Sequence, residues 1–137
     1  MRPAHVQAFI DRVLAEARRG ARATGLPTSV VLAQWGAESL WGQNANGHAN
    51  NLGSIMRHGS YCAYPTIGDF TDDWIRVLNL PLYDPVRAAV PAGAAAVAKA
   101  LGESPYSGDN YRDGNHPAGW LLGQVLSDFS LTEYDGT

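Results

Sequence analysis

The sequence predicts a mainly α domain, and three observations carry that expectation. Apolar residues recur at three- and four-residue spacing along several segments. Pro3 and Pro117 stand where such segments can open, and Gly25, Gly42 and Pro81 where they can stop. Only one long stretch, "GQNANGHANNLGSIMRHGSYCAYPTIGD", has the Gly, Asn and Ser content of loop. The 137 residues suit one domain, 1–137, with a single core.

The elements follow in order. "PAHVQAFIDRVLAEARRGARATG" carries Val6, Phe9, Ile10, Val13, Leu14, Ala17 and Ala21 on one face. A helix over about 3–23 is expected, with Pro3 in its first turn and Gly25 as its stop. After "GLP", Thr28 or Ser29 can cap a second helix running through Trp41 to Gly42. The loop-like stretch leaves room for one short extended pair around Gly53–Met56 and Tyr61–Tyr64. "DFTDDWIRVLNL" reads as a third helix bounded by Pro81, and "PLYDPVRAAVP" as a connection. "AGAAAVAKALGE" is an alanine-rich fourth helix and "SPYSGDNYRDGNHP" a turn-rich loop. Pro117 can open a fifth helix, in which Trp120, Leu121, Val125 and Phe129 form an apolar stripe.

Composition narrows the function. Hydrophobic residues are 45% and charged residues 17%, which excludes a disordered chain. Net charge is −3 and the sequence pI about 5.7, with no basic stripe, so no nucleic-acid partner is expected. No apolar run nears the ~20 residues that span a bilayer, so no membrane partner is expected either. The first twenty residues carry charges throughout and lack a signal-peptide core. The lone Cys62 excludes an internal disulfide. His48, His58 and Cys62 fit no closed zinc spacing, so neither a metal nor a cofactor is expected. Cys62 reads as a small buried or half-buried thiol.

Glu38 is the singular residue. It is the only acid between Ala17 and Gly68, and it lies among Trp35, Leu40 and Trp41 near the end of the second helix. Residues three and four apart share a helix face, so Gln34, Trp35 and Trp41 flank it. Such a wall disfavours the charged carboxylate and suits a general acid. The residue types alone leave a second reading open, a solvated glutamate at a helix end with both tryptophans in the core.

"VVLAQWGAESLWGQ" followed by "NNLGSIM" resembles the helix-and-loop signature of glycoside hydrolase family 73, the N-acetylglucosaminidase-type lysozymes. "YPTIGDFTDDWIRVLNLPLYDPV" is similar to that family's Tyr-x-Ser turn, helix and following tyrosine. "ALGESPYSGDNYRDGNHPAGWLLGQVLSDFSLTEYD" is similar to its closing pattern. The likeness runs from about Leu26 to Asp135 in the family's order. It implies a compact lysozyme-like helical fold that cleaves peptidoglycan glycan strands, with Glu38 as general acid. It also implies that Tyr106, or next Tyr111, lies near Glu38. One departure stands out. Only "RHGSYCA" separates Met56 from Tyr64, with no acid in it, so the β-lobe is much reduced and its second carboxylate is missing.

Glycosidic cleavage needs a proton on the leaving oxygen and a group to meet the charge at the anomeric carbon. Asp69 is the first candidate for the second task, although an N-terminal cap of the third helix is its more ordinary role. Asp72 and Asp73 suit the first turn of that helix. Otherwise the substrate's acetamido group serves, with Tyr106 orienting it or anchoring a loop. Asn50 and Asn51 either hold the loop or line the sugar groove. Trp41, with Tyr61 or Tyr64, offers apolar platforms for sugar faces or packs in the core.

Together these readings predict a monomeric hydrolase of β-1,4 glycosidic bonds in bacterial peptidoglycan, specifically an endo-β-N-acetylglucosaminidase acting at the cell wall. The setting is a phage endolysin, released at lysis or carried on the particle, or the secreted catalytic module of a bacterial autolysin. The alternatives are a muramidase or lytic transglycosylase on the same scaffold, a wall-binding module without catalysis, and a helical protein-interaction domain.

Overall fold

The structure is a computed structural model that describes residues 2–43, 47–106 and 120–136. Helix α1 spans Ala4–Thr24 and buries Val6, Phe9, Ile10, Val13, Ala17 and Ala21 along one stripe. Gly25 ends it in the left-handed conformation (φ 80°), and its N–H donates to the Ala21 carbonyl at 2.8 Å.

Helix α2, Thr28–Ser39, is buried on every side from Thr28 to Gly36. A helix apolar all round belongs at the centre of a fold. Here α1, α5 and α6 pack around it. Its N-terminus follows Pro27, which offers no capping side chain. The expected cap by Thr28 or Ser29 is replaced by a distant one. Asp135 accepts from the Ser29 N–H at 2.7 Å and from the Ser29 hydroxyl at 2.6 Å. An anion there satisfies an orphan donor and faces the positive end of the helix dipole.

The helix also ends two residues before the expected Trp41. Leu40 and Trp41 both take left-handed φ, 51° and 56°, and Gly42 follows at 85°. The turn folds the Trp41 ring back over Gly36, where a Cβ would stand 2.3 Å from it. Phe9 and Phe129 close on that ring edge-on, with centroids 5.7 and 5.1 Å away.

Helix α3, Ile67–Leu78, begins two residues earlier than the sequence pattern suggested. Thr66 is its cap, accepting from the Asp69 N–H at 3.0 Å and donating its hydroxyl to the Asp69 carboxylate at 2.9 Å. Asp69 is therefore not the cap itself but the third-position residue that Thr66 caps, and its carboxylate accepts the Thr66 hydroxyl in return. Phe70 and Trp74 of α3 meet Trp35 edge-on at 5.0 and 5.5 Å, all three fully buried. The Trp74 indole donates to the buried Gln34 side chain at 2.8 Å, so α2 and α3 share both apolar and polar contact. Removing either partner would leave a buried group unpaired, at roughly 1–3 kcal/mol. Gly20 lets α1 approach, since a Cβ there would lie 3.0 Å from Trp74.

Residues 81–92, expected as a plain connection, are largely helical. They hold a 3-10 turn at Pro81–Tyr83, the short α4 (Asp84–Ala88) and a second 3-10 turn at Val90–Ala92. Helix α5 is Ala94–Glu103 and α6 is Trp120–Asp128, with Leu131–Tyr134 a final 3-10 turn. In α6 the fully packed positions are Leu122 and Leu126, while Leu121, Val125 and Phe129 are only partly covered. The expected stripe is thus displaced by one residue. No described helix is long and apolar enough to cross a membrane.

Between α2 and α3 lies the one small sheet among the described residues. Strands β1 (Met56–Arg57) and β2 (Ser60–Tyr61) pair antiparallel, Met56 opposite Tyr61 and Arg57 opposite Ser60. His58 and Gly59 both have positive φ, 52° and 81°, as a two-residue I′ turn requires. The short extended pair expected here is thus a minimal hairpin, with its strands at 56–57 and 60–61 rather than 53–56 and 61–64. Two-residue strands cannot hold themselves. Asp73, on α3, supplies the anchor: its carboxylate binds Arg57 of the hairpin, accepts the Tyr64 hydroxyl at 2.6 Å and accepts Arg76 at 3.1 Å. This is a larger part than the first-turn decoration expected of Asp73.

Burial alone would raise the Asp73 carboxyl, but hydrogen bonds from Arg57, Tyr64 and Arg76 outweigh it and hold the group below its ordinary range. The folded pKa is therefore lower than the unfolded one, near 3.9. The stability from this anchor is fully present above that value and is lost as pH falls through the folded pKa. Asp73→Asn should melt earlier than the parent at neutral pH, with the gap closing below about pH 4. Melting curves across pH 2–7 check this, and a gap independent of pH would contradict it.

Candidate active site

Glu38 is the penultimate residue of α2, at the point where the buried helix emerges. Its residue is half-buried, and one carboxylate oxygen, Oε1, is shielded from solvent. The following loop is bonded to the helix end. The Ser54 hydroxyl donates to the Glu38 carbonyl at 3.2 Å. The Ser39 hydroxyl donates to the Trp35 carbonyl at 2.7 Å and accepts the Gly42 N–H at 2.9 Å. Two serines thus serve carbonyls and turn amides that an exposed helix would leave to water.

Tyr106 comes from the other side, just after α5. Its hydroxyl donates to the Gly53 carbonyl at 2.6 Å. Gly53 must lack a side chain here, since a Cβ would lie 2.5 Å from that hydroxyl and 3.1 Å from the Phe70 ring. Burial first, and then the charge of Glu38, hold the Tyr106 phenol well above its usual range. Tyr106 is therefore a neutral neighbour of Glu38 at any physiological pH. Its proton is committed to the Gly53 carbonyl, the loop-anchoring one of the two roles the sequence left open.

A cavity of about 320 Å³ opens beside Tyr106 and Ser54, the residue whose hydroxyl meets the Glu38 carbonyl; Glu38 itself is not part of its lining. Ser54, Met56, Tyr61, Val77, Tyr83 and Tyr106 are among its walls. Tyr83 and Tyr106 meet edge-on at 6.1 Å, and Tyr61 and Met56 are exposed at its rim. Such a mix of ring faces and a few polar groups is the usual lining of a small-ligand cleft. Tyr83 escaped the site prediction. Its only signal was a tyrosine placed just before the short α4.

Several proposed substrate contacts have other work. Asn51 is buried: its Nδ2 donates to the carbonyls of Ile55 and Cys62, both at 2.9 Å, and its Oδ1 accepts the Ile55 N–H at 2.9 Å. Asn50 donates to the Tyr64 carbonyl at 2.8 Å. Both asparagines fasten the loop, as Asn does in turns. Tyr64 is buried with its hydroxyl on Asp73, and burial followed by that bond raises its phenol. It offers no free ring face, whereas Tyr61 is exposed at the rim of the cavity. Trp41 packs between Phe9 and Phe129, so its ring serves the core. Asp69 is exposed, with its carboxylate on Thr66. Tyr111 lies outside the described residues. Among the described residues no three His, Cys, Asp or Glu side chains gather closely enough to hold a metal ion.

No family model matches the chain, and no curated protein matches it. Among solved structures, the fold is similar to the catalytic domain of the autolysin Auto from Listeria monocytogenes, with a TM-score of 0.73 and 23% identity. The likeness covers 98% of this chain and 90% of that one. At that identity it shows the fold, a mainly helical, lysozyme-like domain with only a vestigial sheet.

Proposed function

We propose that the protein is a peptidoglycan hydrolase that cleaves β-1,4 glycosidic bonds, with Glu38 as general acid. What carries this reading is the position of Glu38, half-buried at the end of the central helix and close to Tyr106, which in turn walls a tyrosine-lined cleft. Support comes from the likeness, over nearly the whole chain, to a domain described as the catalytic part of an autolysin. The finer activity is that of an endo-β-N-acetylglucosaminidase, and the setting is a bacterial autolysin or a phage lysin acting at the wall.

The cleft suggests how the steps divide. Tyr61, exposed at the rim, presents ring surface to a pyranose, Tyr83 backs the wall behind it, and Glu38 delivers its proton to the leaving oxygen. Tyr106 keeps its own proton and holds Gly53, hence the wall of the cleft. Asp69 is engaged with Thr66 at the start of α3 and Asp73 in the hairpin anchor, so neither is free to attack the anomeric carbon. The substrate's acetamido oxygen then meets the positive charge.

Three expected outcomes test the proposal. Glu38→Gln should clear purified cell walls some 10²–10⁴-fold more slowly while still sedimenting with them. Clearing at the parent rate would remove Glu38 from the chemistry, and mass spectrometry of the released fragments names the bond from its new reducing end. Asp69→Asn should lower stability by about 0.5 kcal/mol or less and leave the cleavage rate nearly unchanged. De-N-acetylated glycan should be a poor substrate for both parent and variant. Equal cleavage of acetylated and deacetylated glycan, with activity collapsing in Asp69→Asn, would instead restore a two-carboxylate mechanism.

A further inference from the structure

A second cavity, about 360 Å³, meets the first residues of the loop Asn50–Met56, with Arg12, Ser39, Gly42, Asn50, Leu52 and Ile67 among its walls, whereas the tyrosine cleft meets the last ones. Arg12 is the unusual member. Arg2, Arg19, Arg57, Arg76, Arg87 and Lys99 all sit in ion pairs. Arg12 forms no ion pair and no hydrogen bond among the described residues.

Its guanidinium is nonetheless held in place. It lies over the Phe9 ring, 5.7 Å from the centroid. Its Nη2 also sits against Gly42, where a Cβ would approach to 2.5 Å. A guanidinium packed on a ring and a glycine, with its N–H fork unspent, is pre-organised for a carboxylate. The polar side chains beside it are already committed, Asn50 and Asn51 to loop carbonyls and Ser39 to the turn. The charge is thus the free recognition element of this cavity.

Resting on the proposed action on peptidoglycan, we propose that the Arg12 cavity is an anion subsite that takes a carboxylate of the peptide stems borne by the glycan. A stem residue spans at most ~3.3–3.6 Å, so a few of them reach from one end of a seven-residue loop to the other. A saccharide in the tyrosine cleft and a stem carboxylate at Arg12 then engage the two ends of the same loop. The enzyme would prefer peptide-bearing glycan over bare polysaccharide.

The test separates binding from cleavage. Sedimentation with walls is measured on the Glu38→Gln protein, alone and with Arg12→Gln, Arg12→Lys or, as a control on the same helix, Arg22→Gln. Two substrates are used: intact walls, and the same walls with carboxylates converted to neutral amides by carbodiimide and methylamine. Arg12→Gln should weaken binding to intact walls about threefold to tenfold and leave binding to amidated walls unchanged. Arg12→Lys should recover part of the loss, and Arg22→Gln should match the parent. An equal loss on both substrates, or no loss on either, overturns the subsite. If the protein with Glu38 intact clears no walls yet the Arg12 difference persists, the hydrolase reading falls and the subsite stands.

Discussion

A helix buried on all sides, α2, is the constraint from which the remaining structure follows. Its apolar surface needs neighbours in every direction, which α1, α5 and α6 supply directly and α3 through Trp74 and Phe70 against Trp35. Its ends raise a different demand. Terminal N–H and carbonyl groups that cannot reach water must be served by other segments. The far end of the chain supplies Asp135 at the start, and Ser39 and Ser54 serve the finish. The chain's C-terminal region and the loop after α2 are therefore fixed by the same helix that carries Glu38.

That arrangement bears on the chemistry. A carboxylate on a mobile surface helix would be solvated and lightly positioned. Glu38 instead follows Trp35 and Gly36, both buried, and precedes a left-handed turn locked by the Trp41 ring. Two consecutive non-glycine residues at positive φ cost of order 1–3 kcal/mol each. Burial of the Trp41 ring against Phe9 and Phe129 offsets part of that cost. The strain lies next to the proposed acid, where a fixed backbone matters most.

Much of this was legible in the sequence. The α1 stripe and its glycine stop were set by local pattern, as were the position of Glu38 and the reduced β-lobe. The misreadings share one physical origin: partners distant along the chain. Nothing local shows that Asp135 will serve Ser29, 106 residues away, or that Asp73 will hold Arg57 and Tyr64. Asn51 and Tyr64 carried chemistry that suits a sugar, yet the structure turns both inward because the loop's backbone carbonyls and Asp73 claim them first. Tyr83 and Arg12 were passed over for the converse reason. A tyrosine in a helical connection and an arginine on a helix are ordinary until folding leaves the ring at a cleft and the guanidinium without an anion.

The small hairpin completes the argument. A full β-lobe could support itself and bring its own acid; two-residue strands can do neither. The chain compensates with charge, binding the hairpin to α3 through Arg57 and Asp73, and the register then sets Met56 opposite Tyr61 at the rim of the cleft. Asp73 is consumed by that task, since a carboxylate bound by two guanidinium groups and a phenol is a poor nucleophile. A hairpin this small brings no acid of its own and occupies Asp73. Under the proposed function, Glu38 therefore needs its second group from the substrate, and the acetamido oxygen is the one that an N-acetylated glycan brings.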